Sequence, residues 1–136
     1  MKKIIRYWLP VVLWMIVIFL FSSRQKVAVT DSYALSFLFF KTLHLIEYTF
    51  LYIVSFRAFL NTGMKKSRAY CFAFILTVGY AITDEVHQRF VPTREGRLRD
   101  VIIDGLGGAI GWIILTQFVP KAPKKLKLLA KQWQLL

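Results

Sequence analysis

Four long apolar runs, separated by short polar stretches, dominate the chain. They cover about Ile4–Phe21, Phe37–Leu60, Ala69–Val86 and Val101–Val119. A helix needs about 20 mostly apolar residues to cross the hydrocarbon core of a bilayer, and each run approaches that length. The pattern predicts an all-α, polytopic membrane protein with four transmembrane helices. The breaks carry turn chemistry. Asn61-Thr62-Gly63 stops the second helix, Pro92 interrupts the segment after the third, and Pro120 and Pro123 end the fourth. The first run follows Met1-Lys2-Lys3, as the apolar part of a secretory signal does. It is long for such a signal, and no small-x-small cleavage site follows Phe21-Ser22-Ser23-Arg24, so an uncleaved span is expected. Two units result: a four-helix transmembrane domain over residues 1–120 and a basic tail over 121–136.

Composition agrees with a lipid solvent. The 136 residues allow one domain, and they are 57% hydrophobic, 16% aromatic and only 19% charged. Cys71 is the single cysteine and lies inside an apolar run, which excludes an internal disulfide and favours a packing role. A net charge of +12 raises the question of nucleic acid, but the basic residues sit between apolar runs and no recognition motif is present.

The charges instead predict an orientation. Twelve of the 19 basic residues fall on one side: Lys2, Lys3, Arg6, Arg57, Lys65, Lys66, Arg68, Lys121, Lys124, Lys125, Lys127 and Lys131. Loops rich in Lys and Arg stay in the cytoplasm, so this side and both termini are expected there. The other side holds Arg24, Lys26, Lys41, Arg89, Arg94, Arg97 and Arg99, together with all seven acids: Asp31, Glu47, Asp84, Glu85, Glu95, Asp100 and Asp104. Topology alone does not require acids to gather there, so an outward-facing polar site is expected. In the tail, Leu126, Leu129, Trp133 and Leu136 recur at helical spacing among lysines. Two readings stand side by side: an amphipathic helix on the anionic cytoplasmic leaflet, or a frayed topogenic tail.

Ionisable groups inside spans cost about 2.5–3.5 kcal/mol each on insertion scales, so several in one helix demand a reason. The second span carries Lys41, His44, Glu47 and Tyr48 on neighbouring turns of one face. The third ends in Asp84-Glu85-Val86-His87-Gln88, with Asp84, His87 and Gln88 on one face. The fourth opens with Arg97-Leu98-Arg99-Asp100 and sets Asp104 one turn deeper. Spans two, three and four therefore present polar groups at one depth, and packing those faces together removes them from lipid. Gly107 and Gly111, like Gly105 and Ala109, form small-xxx-small pairs that allow close helix approach, expected inside the monomer. Metal binding has little support, because His44-x-x-Glu47 lacks the spacing of zinc proteases. No nucleophile elbow and no phosphate-cradling Gly loop occurs, and Ser22 and Ser23 stand alone after the first span. The residues assign no cofactor and no oligomeric state.

These blocks resemble the VanZ-like family of membrane proteins. Phe21-Ser22-Ser23 is similar to its first signature, and Lys41-x-x-His44-x-x-Glu47-Tyr48 to its second. The third is Asp84-Glu85-x-His87-Gln88-x-Phe90-x-Pro92-x-Arg94, followed by Asp100-x-x-x-Asp104-x-x-Gly107-x-x-x-Gly111. The resemblance runs from about Ile4 to Phe118. Arg24 stands where a Gln is common in the family, and Thr93 where a Gly is common. The resemblance implies a multi-pass protein of the bacterial cell membrane. The family's namesake is linked to lowered susceptibility to teicoplanin, a lipid-tailed glycopeptide that acts at the outer leaflet on cell-wall precursors.

Three functional readings follow. In the first, the outward pocket binds an amphiphile of the outer leaflet: a lipid-linked cell-wall precursor, a phospholipid or a lipoglycopeptide. Lys41, Arg94 and Arg97 would meet an anionic head group, and Tyr48, Glu85, His87, Gln88 and Asp100 complete the binding set. Glu47, Asp84, Asp104 and His44 would set the polarity. In the second reading, the protein is a hydrolase or transferase of lipid-linked substrates, with Glu47 or Asp84 as base and His44 as its partner. In the third, the polar residues only fix the bundle of a structural or regulatory subunit.

Overall fold

The computed structural model describes residues 2–25, 32–94 and 96–136, and all the regular structure among them is helical. Lys26, Asp31 and Glu95, counted among the charges above, lie outside the described residues. Four helices form the bundle: α1 (Lys2–Ser22), α2 (Tyr33–Asn61), α3 (Lys66–Gln88) and α4 (Leu98–Ile113). A π-helical turn (Ile114–Phe118) and a 3-10 turn (Val119–Lys121) prolong α4. The four spans have 21, 28, 23 and 24 residues, long and apolar enough to cross a membrane. A short fifth helix, α5 (Lys124–Gln132), follows Pro123.

The chain punctuates these helices much as its residue types dictate. At the end of α2, Gly63 takes φ +107° and the Met64 N–H reaches back to the Phe59 carbonyl at 3.2 Å, a glycine-terminated helix end. Pro10 sits inside α1, which a membrane helix tolerates because neighbouring groups satisfy the freed backbone. Large apolar side chains such as Leu38, Ile46, Ile75, Ile82, Ile102 and Trp112 point outward, the arrangement a lipid solvent permits.

Helix α2 packs against α1, α3 and α4, and its Tyr48, Leu51, Tyr52 and Phe56 are fully buried. Against α4 the fit is tight. A Cβ at Gly107 would come 2.7 Å from the Leu45 carbonyl oxygen, and one at Gly111 would come 2.7 Å from the Tyr52 ring. The Gly107–Gly111 pair therefore serves packing inside the monomer, as its spacing suggests. Gly108 faces α3 instead, with Thr77 and Phe74 beside it.

The N- and C-terminal segments meet at the same end of the bundle. The Tyr7 hydroxyl donates to Gln134 Oε1 at 2.6 Å, and Arg57 Nε donates to the Trp133 carbonyl at 2.7 Å. Asn61 Nδ2 donates to the Gln134 carbonyl at 2.9 Å, and Ala130 and Leu135 are buried. The tail is a docked helix at this end and not a frayed strand of chain.

Replacement of Gly107 by Leu should cost about 1–3 kcal/mol by overpacking the α2–α4 seam. Gly79, where an added Cβ would meet nothing within 4 Å, should accept Ala without loss. Thermal unfolding of the two variants in detergent checks both expectations, and equal midpoints for Gly107→Leu and wild type would contradict the seam.

Candidate functional site

The spacing that places Lys41 and His44 one turn apart on α2 matches the turn between Asp100 and Asp104 on α4. The structure pairs them in register. Lys41 Nζ lies 2.8 Å from Asp100 Oδ2, and His44 Nδ1 lies 3.3 Å from Asp104 Oδ1. The second pair is a close contact and not a hydrogen bond, because the ring nitrogen is not aligned on the oxygen as a hydrogen bond requires. One turn deeper, the Thr49 hydroxyl shares its proton between the Leu45 carbonyl at 2.7 Å and the Gly107 carbonyl at 2.9 Å. Glycine at 107 is what brings that carbonyl within reach.

A second network joins α1, α3 and the loop that follows. Asp84 is buried, and its Oδ2 accepts from the Ser22 hydroxyl at 2.8 Å and from Gln88 Nε2 at 2.9 Å. Arg94 Nη1 in turn approaches Gln88 Oε1 at 3.4 Å. The rest of the guanidinium is spent on the end of α1: Nη2 donates to the Phe21 carbonyl and Nε to the Arg24 carbonyl, each at 2.8 Å. The last carbonyls of a helix lack intrahelical donors and carry partial negative charge, so a planar cation with several N–H groups suits them. Burial lowers the Arg94 pKa, while the Asp84, Glu47 and Glu85 carboxylates within electrostatic reach raise it. The guanidinium stays charged at neutral pH. His87 Nε2 lies 3.1 Å from Ser23 Oγ. Ser23 already gives its one proton to the Phe19 carbonyl at 2.7 Å, so the imidazole is assigned as the donor between them.

Glu85 closes the far side. Its Oε2 accepts the backbone N–H of Arg97, the residue that caps α4, at 2.9 Å. A carboxylate at a helix N-terminus is favoured by the orphan N–H groups and the dipole. Gly96 makes the approach possible, since a Cβ there would overlap the Glu85 carbonyl. Arg97 and Arg99 are exposed beside this helix start, with Arg99 Nε 3.7 Å from Asp100 Oδ1.

Glu47 sits where the networks converge. It is half-buried, and its backbone carbonyl accepts Trp14 Nε1 at 2.9 Å. Its carboxylate lies within electrostatic reach of His44, Asp84, Asp104 and Arg94. Tyr48 stacks on His44 with ring centroids 6.3 Å apart, and its hydroxyl lies within electrostatic reach of Asp84 and Asp104 without bonding to either. Among the described residues, several buried oxygens at this end have no hydrogen-bond partner: Tyr48 Oη, Asp84 Oδ1, Glu85 Oε1 and Asp104 Oδ2. Asp104 is only 1% exposed and Tyr48 fully buried, so these are costly groups to leave open. Among the described residues no group of three His, Cys, Asp or Glu side chains is arranged to hold a metal ion.

All twelve residues singled out from the sequence lie at this end of the bundle, on α2, α3, α4 and the loop before α4. Ser22 and Ser23, which have no chemical role on sequence grounds, bring α1 into the site as a fourth wall. The available signal was a pair of hydroxyls directly after an apolar run that otherwise lacks polar side chains over its last turns. The three cations expected to face a head group are placed differently from one another. Lys41 is committed to Asp100 and Arg94 to α1, and Arg97 lies at the exposed rim with an interaction of its own.

A family model described as VanZ/LLP1 matches residues 7–119. No curated protein and no solved structure matches the chain.

Thr93 has φ +69°. A β-branched residue is strained in this left-handed region, where a glycine is not. Thr93→Gly should therefore raise stability by about 1 kcal/mol, seen as a higher unfolding midpoint in detergent. A lower midpoint would show that contacts of the threonine side chain outweigh the backbone strain.

Proposed function

From the premise that the chain belongs to the VanZ/LLP1 family, we propose that the polar end of the bundle faces outward and binds the head group of an outer-leaflet amphiphile. In the bacterial cell membrane this would be a lipid-linked cell-wall precursor, a phospholipid or a lipoglycopeptide, and its capture lowers susceptibility to teicoplanin and related glycopeptides. One observation carries the reading: among the described residues, buried oxygens of Asp84, Glu85 and Asp104 have no hydrogen-bond partner inside an apolar bundle. Lys41 and Arg99 lie against Asp100, and His44 against Asp104. Ion pairs that served only to fix helix packing would not need these open oxygens, given what each buried charge costs.

The same open oxygens indicate which part of the ligand goes where. Those of Asp84 and Asp104, with the Tyr48 hydroxyl, receive N–H donors such as an ammonium group. An attached phosphate would meet the exposed side chain of Arg99 at the rim. Glu47 couples the His44–Asp104 pair to the Asp84–Arg94 network, so its charge tunes both.

The enzymatic reading has one observation of its own, the 3.1 Å contact of Ser23 with His87. A nucleophilic serine must release its proton to the imidazole, and here that proton is held by the Phe19 carbonyl. Binding therefore has the stronger support.

In a host lacking this protein, the wild type should lower teicoplanin susceptibility. Glu47→Gln, Asp84→Asn and Asp104→Asn should lose that protection at equal abundance in the membrane. Full protection by all three variants would sink the proposal. The orientation has its own check: a reporter fused after Leu136 should be active only in its cytoplasm-reading form, because the basic end carries both termini.

A further inference from the structure

At the other end of the bundle the chain builds a groove that the polar site does not use. Helix α4 loosens into the π-helical turn Ile114–Phe118, and Pro120 and Pro123 then redirect the chain into α5. The elbow frames an open groove of about 620 Å³, walled by Ile114, Phe118, Val119, Pro123 and Leu126, with Lys121 on its lining as the one charge. A cavity of this size matches small-ligand sites, and its apolar walls suit a hydrocarbon chain.

Two further features say what would enter. The first is charge. The sequence holds no Asp or Glu after Asp104, while Lys121, Lys124, Lys125, Lys127 and Lys131 follow within eleven residues. Lys121, Lys124 and Lys125 are exposed at the groove and the start of α5, and no carboxylate of the tail is available to pair with them. The second is rigidity. Helix α5 is fixed by Arg57, Asn61 and Tyr7 through the hydrogen bonds to Trp133 and Gln134. Gln134 itself takes φ +56°, closing α5 with the Leu135 N–H on the Ala130 carbonyl at 2.9 Å. The groove is thus held open by bonds that do not involve its walls. Leu126, Leu128, Leu129 and Trp133 are exposed alongside the lysines, the surface of a helix that lies in a membrane interface.

We propose that this elbow is a binding site for one anionic phospholipid, with an acyl chain in the groove and the phosphate on Lys121 and Lys124. Basic pockets beside membrane helices bind such head groups at the cytoplasmic surface. The bound lipid would pin the tail helix to the bilayer at the end of the bundle opposite the acidic site. This inference does not rest on the proposed function, and either can fail alone.

The test is thermal unfolding of the full chain in a neutral detergent with added lipid. A ligand that binds only the folded state raises the midpoint in a concentration-dependent way. Phosphatidylglycerol should raise it, while phosphatidylcholine and glycerol phosphate without chains should not. The double variant Lys121→Gln/Lys124→Gln should lose the shift. So should Leu126→Trp, which fills the groove from a half-exposed position and should itself fold with an unchanged midpoint. An equal shift with phosphatidylcholine, a shift with glycerol phosphate alone, or a full shift in either variant would overturn the site.

Discussion

The close approach of α2 and α4 is the contact on which the rest of the molecule depends. Gly107 and Gly111 let the α4 backbone lie against Leu45, Tyr48, Thr49 and Tyr52 with no side chain between. Lipid gives no hydrophobic reward for burying one apolar helix against another, so packing and polar contacts must hold the pair. Only at this separation can Thr49 reach the Gly107 carbonyl, and only in this register do Lys41 and His44 meet Asp100 and Asp104. The seam sets the spacing at its glycine end and the charges set the register above it. Each supports the other, because a shift of one turn would leave one of Lys41 and His44, and one of Asp100 and Asp104, without a partner.

The second network answers a different need. Helix α1 has few polar side chains, and its last carbonyls would be unpaired where it ends. Arg94 supplies the donors from the loop after α3, and Ser22 returns the contact through Asp84. Arg94 can do this only if the chain reverses at Thr93, in a conformation that suits glycine better than threonine. Trp14 on the Glu47 carbonyl and Tyr80 on the Met15 carbonyl repeat the logic deeper in the bundle, each placing a polar tip on backbone between α1 and its neighbours. The polar end is therefore a continuous structure from Ser22 to Asp104, with Glu47 between its two halves.

Much of this was legible in the sequence because helices impose a strict spacing. Lys41, His44 and Tyr48, or Asp84 and Gln88, fall on one face whatever their partners are, and the cost of charge in lipid says that those faces must meet. The spans and the stop at Gly63 are legible for the same kind of local reason. Partner choice was not. Nothing local says that Arg94 turns to the carbonyls of Phe21 and Arg24, more than 65 positions away, when carboxylates lie nearer in the chain. The role of Ser22 was hidden likewise, since a hydroxyl after an apolar run reads equally well as a helix end. The docked tail depends on Tyr7 and Gln134, separated by nearly the whole chain, and the helical spacing of Leu126, Leu129 and Trp133 shows an amphipathic helix without showing what it rests on.

The two ends of the bundle are opposite solutions to one problem. At the basic end the cations are exposed, and water and lipid phosphate can neutralise them without help from the fold. At the acidic end the carboxylates are buried, so solvent is not available to them and each must find a partner inside. Asp84, Asp100 and Glu85 find part of what they need from Ser22, Gln88, Lys41 and the backbone of Arg97. Asp104 has only an unaligned imidazole, and Tyr48 beside it has no partner for its hydroxyl. A bundle that needed polar groups only for assembly would gain by replacing these two with apolar residues of similar volume, since a well-packed apolar core equals or exceeds a buried ion pair in stability. Their presence in the most deeply buried part of the site is the feature that packing leaves unexplained, and a ligand group carrying N–H donors would account for both at once.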